Sequence, residues 1–129
     1  GFIQKRTELA SYYRKRLGGI SHIKIPLFEY DYPASSSWHL FAVLIDFYSL
    51  HRDRAQVMQL LKQKNIGTQV HYMPLTHNIF YKRKYGYKEC DMPNSNNVYE
   101  QALTLPLSTL MDRASVDYVC DNLLQILGI

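Results

Sequence analysis

A chain of 129 residues, 47% of them apolar and 20% charged, has the size and make-up of one globular domain with a real core, which excludes a disordered polymer. No apolar run approaches membrane-spanning length, and no charged-then-apolar leader opens the sequence. The formal charge of +4 suits an anionic small molecule or a nucleic acid and demands neither.

The first predicted element is a helix from about Phe2 to Leu17, with Arg6, Leu9, Ala10, Tyr13 and Leu17 at helical spacing. Only Gly1 stands before it as a cap, so the helix either begins unguarded or continues from upstream sequence. Gly18-Gly19 ends it. A short extended piece, Ile23 to Leu27, and a turn-rich loop, Pro33 to Ser37, come next. Trp38 to Phe47 is the strongest strand. Phe41, Val43, Ile45 and Phe47 point one way and Leu40, Ala42 and Leu44 the other, a pattern that predicts cover on both faces.

Asp53 can cap a second helix, with Gln56 three residues on as in a capping box, and Val57, Met58 and Leu61 as its inward stripe. Asn65 can take the left-handed conformation and Ile66 can pack back on Leu61, a Schellman ending. The chain is then reset into a short predicted strand, Gly67 to Tyr72, and a loop reaching His77. A short helix within His77–Tyr87 stops at Gly86. Asn94-Ser95 after Pro93 can cap another through about Gln101. Ala102 to Leu105 reads as a third strand limited by Pro106. Asp112 caps a last helix whose stripe is Val116, Val119, Cys120, Leu123, Leu124 and Leu127, and Gly128 stops it. The order predicts an α+β fold: helices packed on a small, mostly antiparallel sheet that could leave one face for another domain.

Chemistry concentrates in Ile66–His77, where two imidazoles, a phenol and Pro74 follow the strand pattern. Loops on a rigid scaffold carry function, and ordinary surface histidines fit the same pattern. Ser35, Ser36 and Ser37 lie near His39, but no GxSxG elbow is present. His71 and His77 are six apart with no HExxH and no partner cysteine, which argues against zinc. No Walker loop or GxGxxG offers a phosphate cradle. Cys90 and Cys120 have no CxxC spacing, which points to a reduced, cytoplasmic setting, with Cys120 in the core. The run Tyr81-Lys82-Arg83-Lys84-Tyr85 interleaves cations and aromatics as RNA-binding surfaces do, yet neither strong strand carries an RRM motif. A solvated helix face gives the same run.

One ordered set of motifs spans nearly the whole chain. It comprises Lys5-Arg6-Thr7-Glu8-Leu9-Ala10 with Tyr13, Ser37-Trp38-His39-Leu40-Phe41, Arg52, Asn65-Ile66-Gly67-Thr68-Gln69-Val70-His71-Tyr72-Met73-Pro74-Leu75, Tyr81, Pro93, and Leu103-Thr104-Leu105-Pro106-Leu107. In order and spacing this set resembles the C-terminal small domain of the DegT/DnrJ/EryC1/StrS aminotransferases, fold-type I enzymes that use pyridoxal 5'-phosphate to aminate nucleotide-linked keto-sugars. The Ser37-to-Leu40 and Gln69-to-Pro74 runs are most similar to members that act in pseudaminic acid biosynthesis, on a UDP-linked 4-keto-6-deoxy sugar with glutamate as donor. The resemblance implies residues 1–18 as the end of an interdomain helix and 19–129 as the small domain. It implies a large domain, absent here, that carries the cofactor and its lysine. The family's lysine motif, a histidine-containing strand end before a Gly-rich turn, is missing, so this chain alone is expected to bind no cofactor and to be inactive.

By the same resemblance, His71, Tyr72 and His77 face the sugar-nucleotide pocket, with His39 as a neighbour, and none of them transfers the proton. Pro74 would stiffen the loop. The whole enzyme is expected to be a cytoplasmic homodimer with no nucleic-acid or membrane partner. Two other readings stay open: a stand-alone binding module for RNA or an anionic ligand, and a chain that dimerises through an exposed apolar face.

Overall fold

The computed structural model describes residues 1–26 and 36–129. Leu27, Pro33, Ala34 and Ser35 of the predicted extended piece and loop lie outside the described residues. The order is α1 (Phe2–Leu17), β1 (Ile23–Lys24), β2 (Phe41–Ile45), α2 (Arg54–Gln63), α3 (Ile79–Tyr85), α4 (Pro93–Gln101), β3 (Ala102–Leu105) and α5 (Arg113–Leu127). The sheet runs β1-β2-β3, antiparallel throughout, with Ile23 opposite Ile45 and Phe41 opposite Leu105. The α+β fold expected from the element order is the one observed.

Local chemistry sets most boundaries. Asp53 accepts a bond from the Gln56 amide at 2.8 Å and caps α2. That helix closes as a Schellman motif: the Ile66 amide donates to the Leu61 carbonyl and the Asn65 amide to Lys62, with Asn65 at φ 59°. Gly86, at φ 71°, ends α3. At α5 the Ser115 amide and hydroxyl both donate to the Asp112 carboxylate, at 2.8 and 2.6 Å, a true cap.

Three details depart from the sequence pattern. The predicted strand at Gly67–Tyr72 is reduced to one bridge, Gln69 with Thr104. Gly67 and Gln69 are exposed and Val70 only half-buried, so no continuous apolar face holds a longer ladder. Helix α4 begins at Pro93 itself, after Met92, with no side-chain cap from Asn94 or Ser95. Proline presets the helical φ and lacks the N–H that a first turn leaves unbonded. Finally, β2 buries Phe41, Val43 and Ile45, while Leu40, Ala42 and Leu44 are only half-buried, so full cover exists on one face. Trp38, at φ 51°, precedes the strand rather than joining it.

The covered face carries the core. Leu9, Tyr13 and Leu17 of α1, Val57 and Leu61 of α2, and Val116, Cys120 and Leu123 of α5 meet Phe41, Val43, Ile45, Leu103 and Leu105. Helices α1 and α5 are also tied at their surfaces. Arg16 pairs with Asp117 at 2.8 Å and Asp121 at 2.5 Å, and the Tyr12 hydroxyl donates to Asp117 at 3.0 Å. In β3 the alternation is complete: Leu103 and Leu105 enter the core, and Thr104 turns to the other face.

Acid should weaken this fold through its turns. Hydrogen bonds from the Ser115 hydroxyl and amide hold the Asp112 carboxyl below the usual 3.8, and those from the Ser49 amide and hydroxyl do the same for Asp46. A carboxyl depressed in the folded state contributes stability that is present above its unfolded value and lost as pH falls through its folded value. Urea midpoints are therefore expected to fall from about pH 4 downward. Asp112→Asn keeps a cap but removes one titrating group, so its midpoint should decline less steeply there. Parallel declines would refute the assignment.

Candidate functional site

The segment after α2 meets the free edge of β3 in one antiparallel bridge. Its anchor is Thr104. The Thr104 amide donates to the Gln69 carbonyl at 2.7 Å and the Gln69 amide returns a bond at 3.2 Å. Two residues on, His71 Nδ1 lies 3.0 Å from Thr104 Oγ1. The peptide between His71 and Tyr72 is cis. The Tyr72 ring meets the His71 ring edge-on, centroids 4.8 Å apart, and is itself 75% exposed.

His71 stands on a ridge between two open pockets. One, of about 390 Å³, lies between Tyr72 and Pro74 and the helix face of Asn94, Ser95 and Tyr99. The other, of about 280 Å³, is walled by His39, Gln69 and Thr104 with the Leu105–Leu107 turn. So His71 and Tyr72 line one pocket, and His71 and His39 share the second. His77 lines neither. Its Nε2 lies 2.9 Å from Asn96 Oδ1, and its ring meets Tyr99 edge-on at 5.7 Å. The Asn96 side-chain Nδ2 in turn donates to the Glu89 carbonyl, so His77 ties the turn after Pro74 to α4.

Arg54 braces the far end of the same helix. Its guanidinium donates to the Tyr99, Glu100 and Ala102 carbonyls and lies 4.8 Å over the Tyr99 ring. The Tyr99 and Glu100 carbonyls are among those a helix C-terminus leaves unbonded. Sequence reasoning missed Thr104, Asn96 and Tyr99. Only Thr104 had a signal: it is the one polar residue in Ala102-Leu103-Thr104-Leu105.

The pocket walls carry neutral donors and acceptors. Neither the Tyr72 pocket nor the His39 pocket is lined by a lysine, arginine or carboxylate. Such walls suit hydroxyl-rich ligands. They do not fit pyridoxal phosphate, which needs an amine for its aldehyde carbon and a carboxylate for its ring nitrogen. Among the described residues, no group of three or more His, Cys, Asp or Glu is placed to hold a metal ion. No helix among them is long and apolar enough to cross a membrane.

The basic–aromatic run sits on α3, where Lys82 and Lys84 meet partners from the same chain. Lys82 pairs with Glu89, whose carboxyl it holds below the usual range. Lys84 lies 5.3 Å from the Phe80 and Tyr85 ring centroids, and Tyr81 stacks on Tyr85.

Comparison with known proteins agrees with this layout. The model of the DegT/DnrJ/EryC1/StrS aminotransferase family matches residues 1–124. The spore coat polysaccharide biosynthesis protein SpsC of Bacillus subtilis is 32% identical over 95% of this chain and 31% of its own length. The UDP-4-amino-4,6-dideoxy-N-acetyl-beta-L-altrosamine transaminase of Campylobacter jejuni is 33% identical over 97% of this chain and 32% of its own. Spr1654 of Streptococcus pneumoniae, solved in a PLP form, superposes with a TM-score of 0.86 at 28% identity, covering 98% of this chain and 31% of that one. The chain thus spans about a third of the length of the curated relatives it matches.

Proposed function

The chain belongs to the DegT/DnrJ/EryC1/StrS aminotransferase family, and from that premise we propose that it forms the small-domain part of an enzyme acting on a nucleotide-linked sugar. The reaction moves an amino group from glutamate to a 4-keto-6-deoxy sugar carried on UDP, in the making of a surface polysaccharide or pseudaminic acid. The name of the Campylobacter jejuni relative supports a UDP-linked dideoxy sugar, and that of the Bacillus subtilis relative a part in making a polysaccharide. Pyridoxal phosphate and its lysine belong to a large domain outside these residues, and the whole enzyme is a cytoplasmic homodimer. The chain alone is inactive.

The observation that carries this reading is the ridge at His71: one imidazole shared by two pockets with neutral polar walls. Its part is recognition. His71, Tyr72 and His39 bind sugar oxygens, and His77 holds the turn that presents them. The exposed apolar side chains of Tyr72, Leu75, Ile79 and Phe80 lie beside that turn and give the large domain a surface to close against.

The test is a titration of the purified chain with UDP-N-acetylglucosamine, a stable UDP-sugar, followed by amide chemical shifts. Shifts should cluster at His39, Gln69–Tyr72 and Thr104. His71→Ala should weaken the response about tenfold, the scale of one hydrogen bond. No shift in this cluster, or no effect of His71→Ala, would overturn the reading. Shifts on α3 with single-stranded RNA that vanish in salt would favour a binding module instead.

A further inference from the structure

We propose that Thr104 is a positioning residue that fixes the tautomer of His71, placing its proton on Nε2 so that the ridge offers an N–H donor and selects ligands by an acceptor oxygen. This rests on the reading of His71 as the residue that meets substrate.

The argument is an inventory of donors. Thr104 is 7% exposed, and its backbone amide and carbonyl are both spent on Gln69. Its hydroxyl has a single partner, His71 Nδ1 at 3.0 Å. A hydroxyl carries one proton and two lone pairs, and a neutral imidazole carries one proton on one of two nitrogens. If Nδ1 held the proton, it would donate to Oγ1, and the hydroxyl's own proton would be left without an acceptor. If Nδ1 is bare, the hydroxyl donates to it and only a lone pair goes unused. A shielded donor without a partner is the costlier vacancy. The second arrangement is therefore the stable one.

The ring cannot escape by turning over. A flip would bring a carbon to Thr104 and orphan the hydroxyl, and the Tyr72 ring, edge-on at 4.8 Å, packs against the imidazole. Nε2 has no partner within the described residues and is left for a ligand. With its lone pair held by Thr104, the neutral ring gives a hydrogen bond to a ligand and does not take a proton from it. The fitting atoms are a sugar hydroxyl oxygen, a carbonyl oxygen or a phosphate oxygen.

The test reads the histidine ring nitrogens of the chain by long-range nitrogen–proton correlation, at a pH where imidazoles are neutral. His71 should show a pyrrole-type Nε2 and a pyridine-type Nδ1. Thr104→Val, which keeps the shape and removes the hydroxyl, should move the tautomer ratio about fivefold toward Nδ1–H. Thr104→Ser should restore it. Amide shifts of α5 check that the variants fold, and if the valine variant does not, the wild-type and serine spectra still decide. A pyrrole-type Nδ1 in the wild type, or a ratio unmoved in a folded Thr104→Val, would overturn the proposal. The wild-type pattern without any response to UDP-N-acetylglucosamine would instead sink the substrate reading and leave the role of Thr104 standing.

Discussion

Replacing Phe41 by alanine is expected to remove about 3–5 kcal/mol of folding stability. Phe41 is 1% exposed and opens β2 opposite Leu105. Its ring stacks on Tyr13 with centroids 4.7 Å apart, and Trp38 stands 6.2 Å away. Truncation leaves a cavity that three large, constrained neighbours cannot fill by small shifts. The Tyr13 hydroxyl also donates to the Pro106 carbonyl at 2.9 Å, so the disturbance reaches the turn that walls the His39 pocket. A domain of this size has about 5–15 kcal/mol in total. The urea midpoint should therefore fall steeply with little change in slope. Phe41→Leu, which refills much of the volume, should lose less than half as much. A loss near zero for the alanine variant would mean that the stack is not part of the core.

The two cysteines should differ in alkylation rate by about two orders of magnitude or more. Cys120 is buried between α1 and α5, and burial pushes its thiol up from 9.0 to about 12, with nearby Arg16 opposing. Only the thiolate reacts, so the shift cuts the reactive fraction about a thousandfold near neutral pH, a loss that the greater nucleophilicity of a more basic thiolate offsets in part and occlusion deepens. Cys90 is exposed at the surface. Iodoacetamide followed by mass spectrometry should mark Cys90 first and Cys120 only after urea unfolds the chain. Equal native rates would show that the α1–α5 seam opens readily.

Local signals in the sequence account for most of the scaffold. Asp53, Asn65, Gly86, Asp112 and Gly128 each set a boundary through their own backbone or cap chemistry, and each stands where its residue type foretold. The stripe of α5 is buried at Val116, Val119, Cys120, Leu123 and Leu127 as its spacing required. The misses have a common cause in what the neighbourhood lacks. Gly67–Tyr72 alternates weakly, and whether it pairs depends on β3, a segment far along the chain. Pro93 outcompeted Asn94 and Ser95 because a preset φ starts a helix without a side-chain cap. The site follows the same division. His39, His71 and Tyr72 were visible as residue types in a loop and at a strand head, and they do line the pockets. The Thr104–His71 contact joins positions 33 apart, and the His77–Asn96 contact positions 19 apart. Neither spacing has a periodic signature.

The seam between α1 and α5 also sets a clock. Tyr12 and Asp117 meet across 105 residues of chain. A ribosome adding roughly 5–20 residues per second needs roughly 5–20 s to deliver the second helix after the first. A helix of 16 residues is marginal by itself in water. Throughout that interval Leu9, Tyr13 and Leu17 lack the partners that α5 supplies, and the nascent chain leaves that side of α1 open to chaperones and to its neighbours on the polysome. Helix α5 is thus the latch of the domain. Ribosome stalling before Arg113 should leave a species that proteases cut, and release of α5 should protect α1 and α5 together.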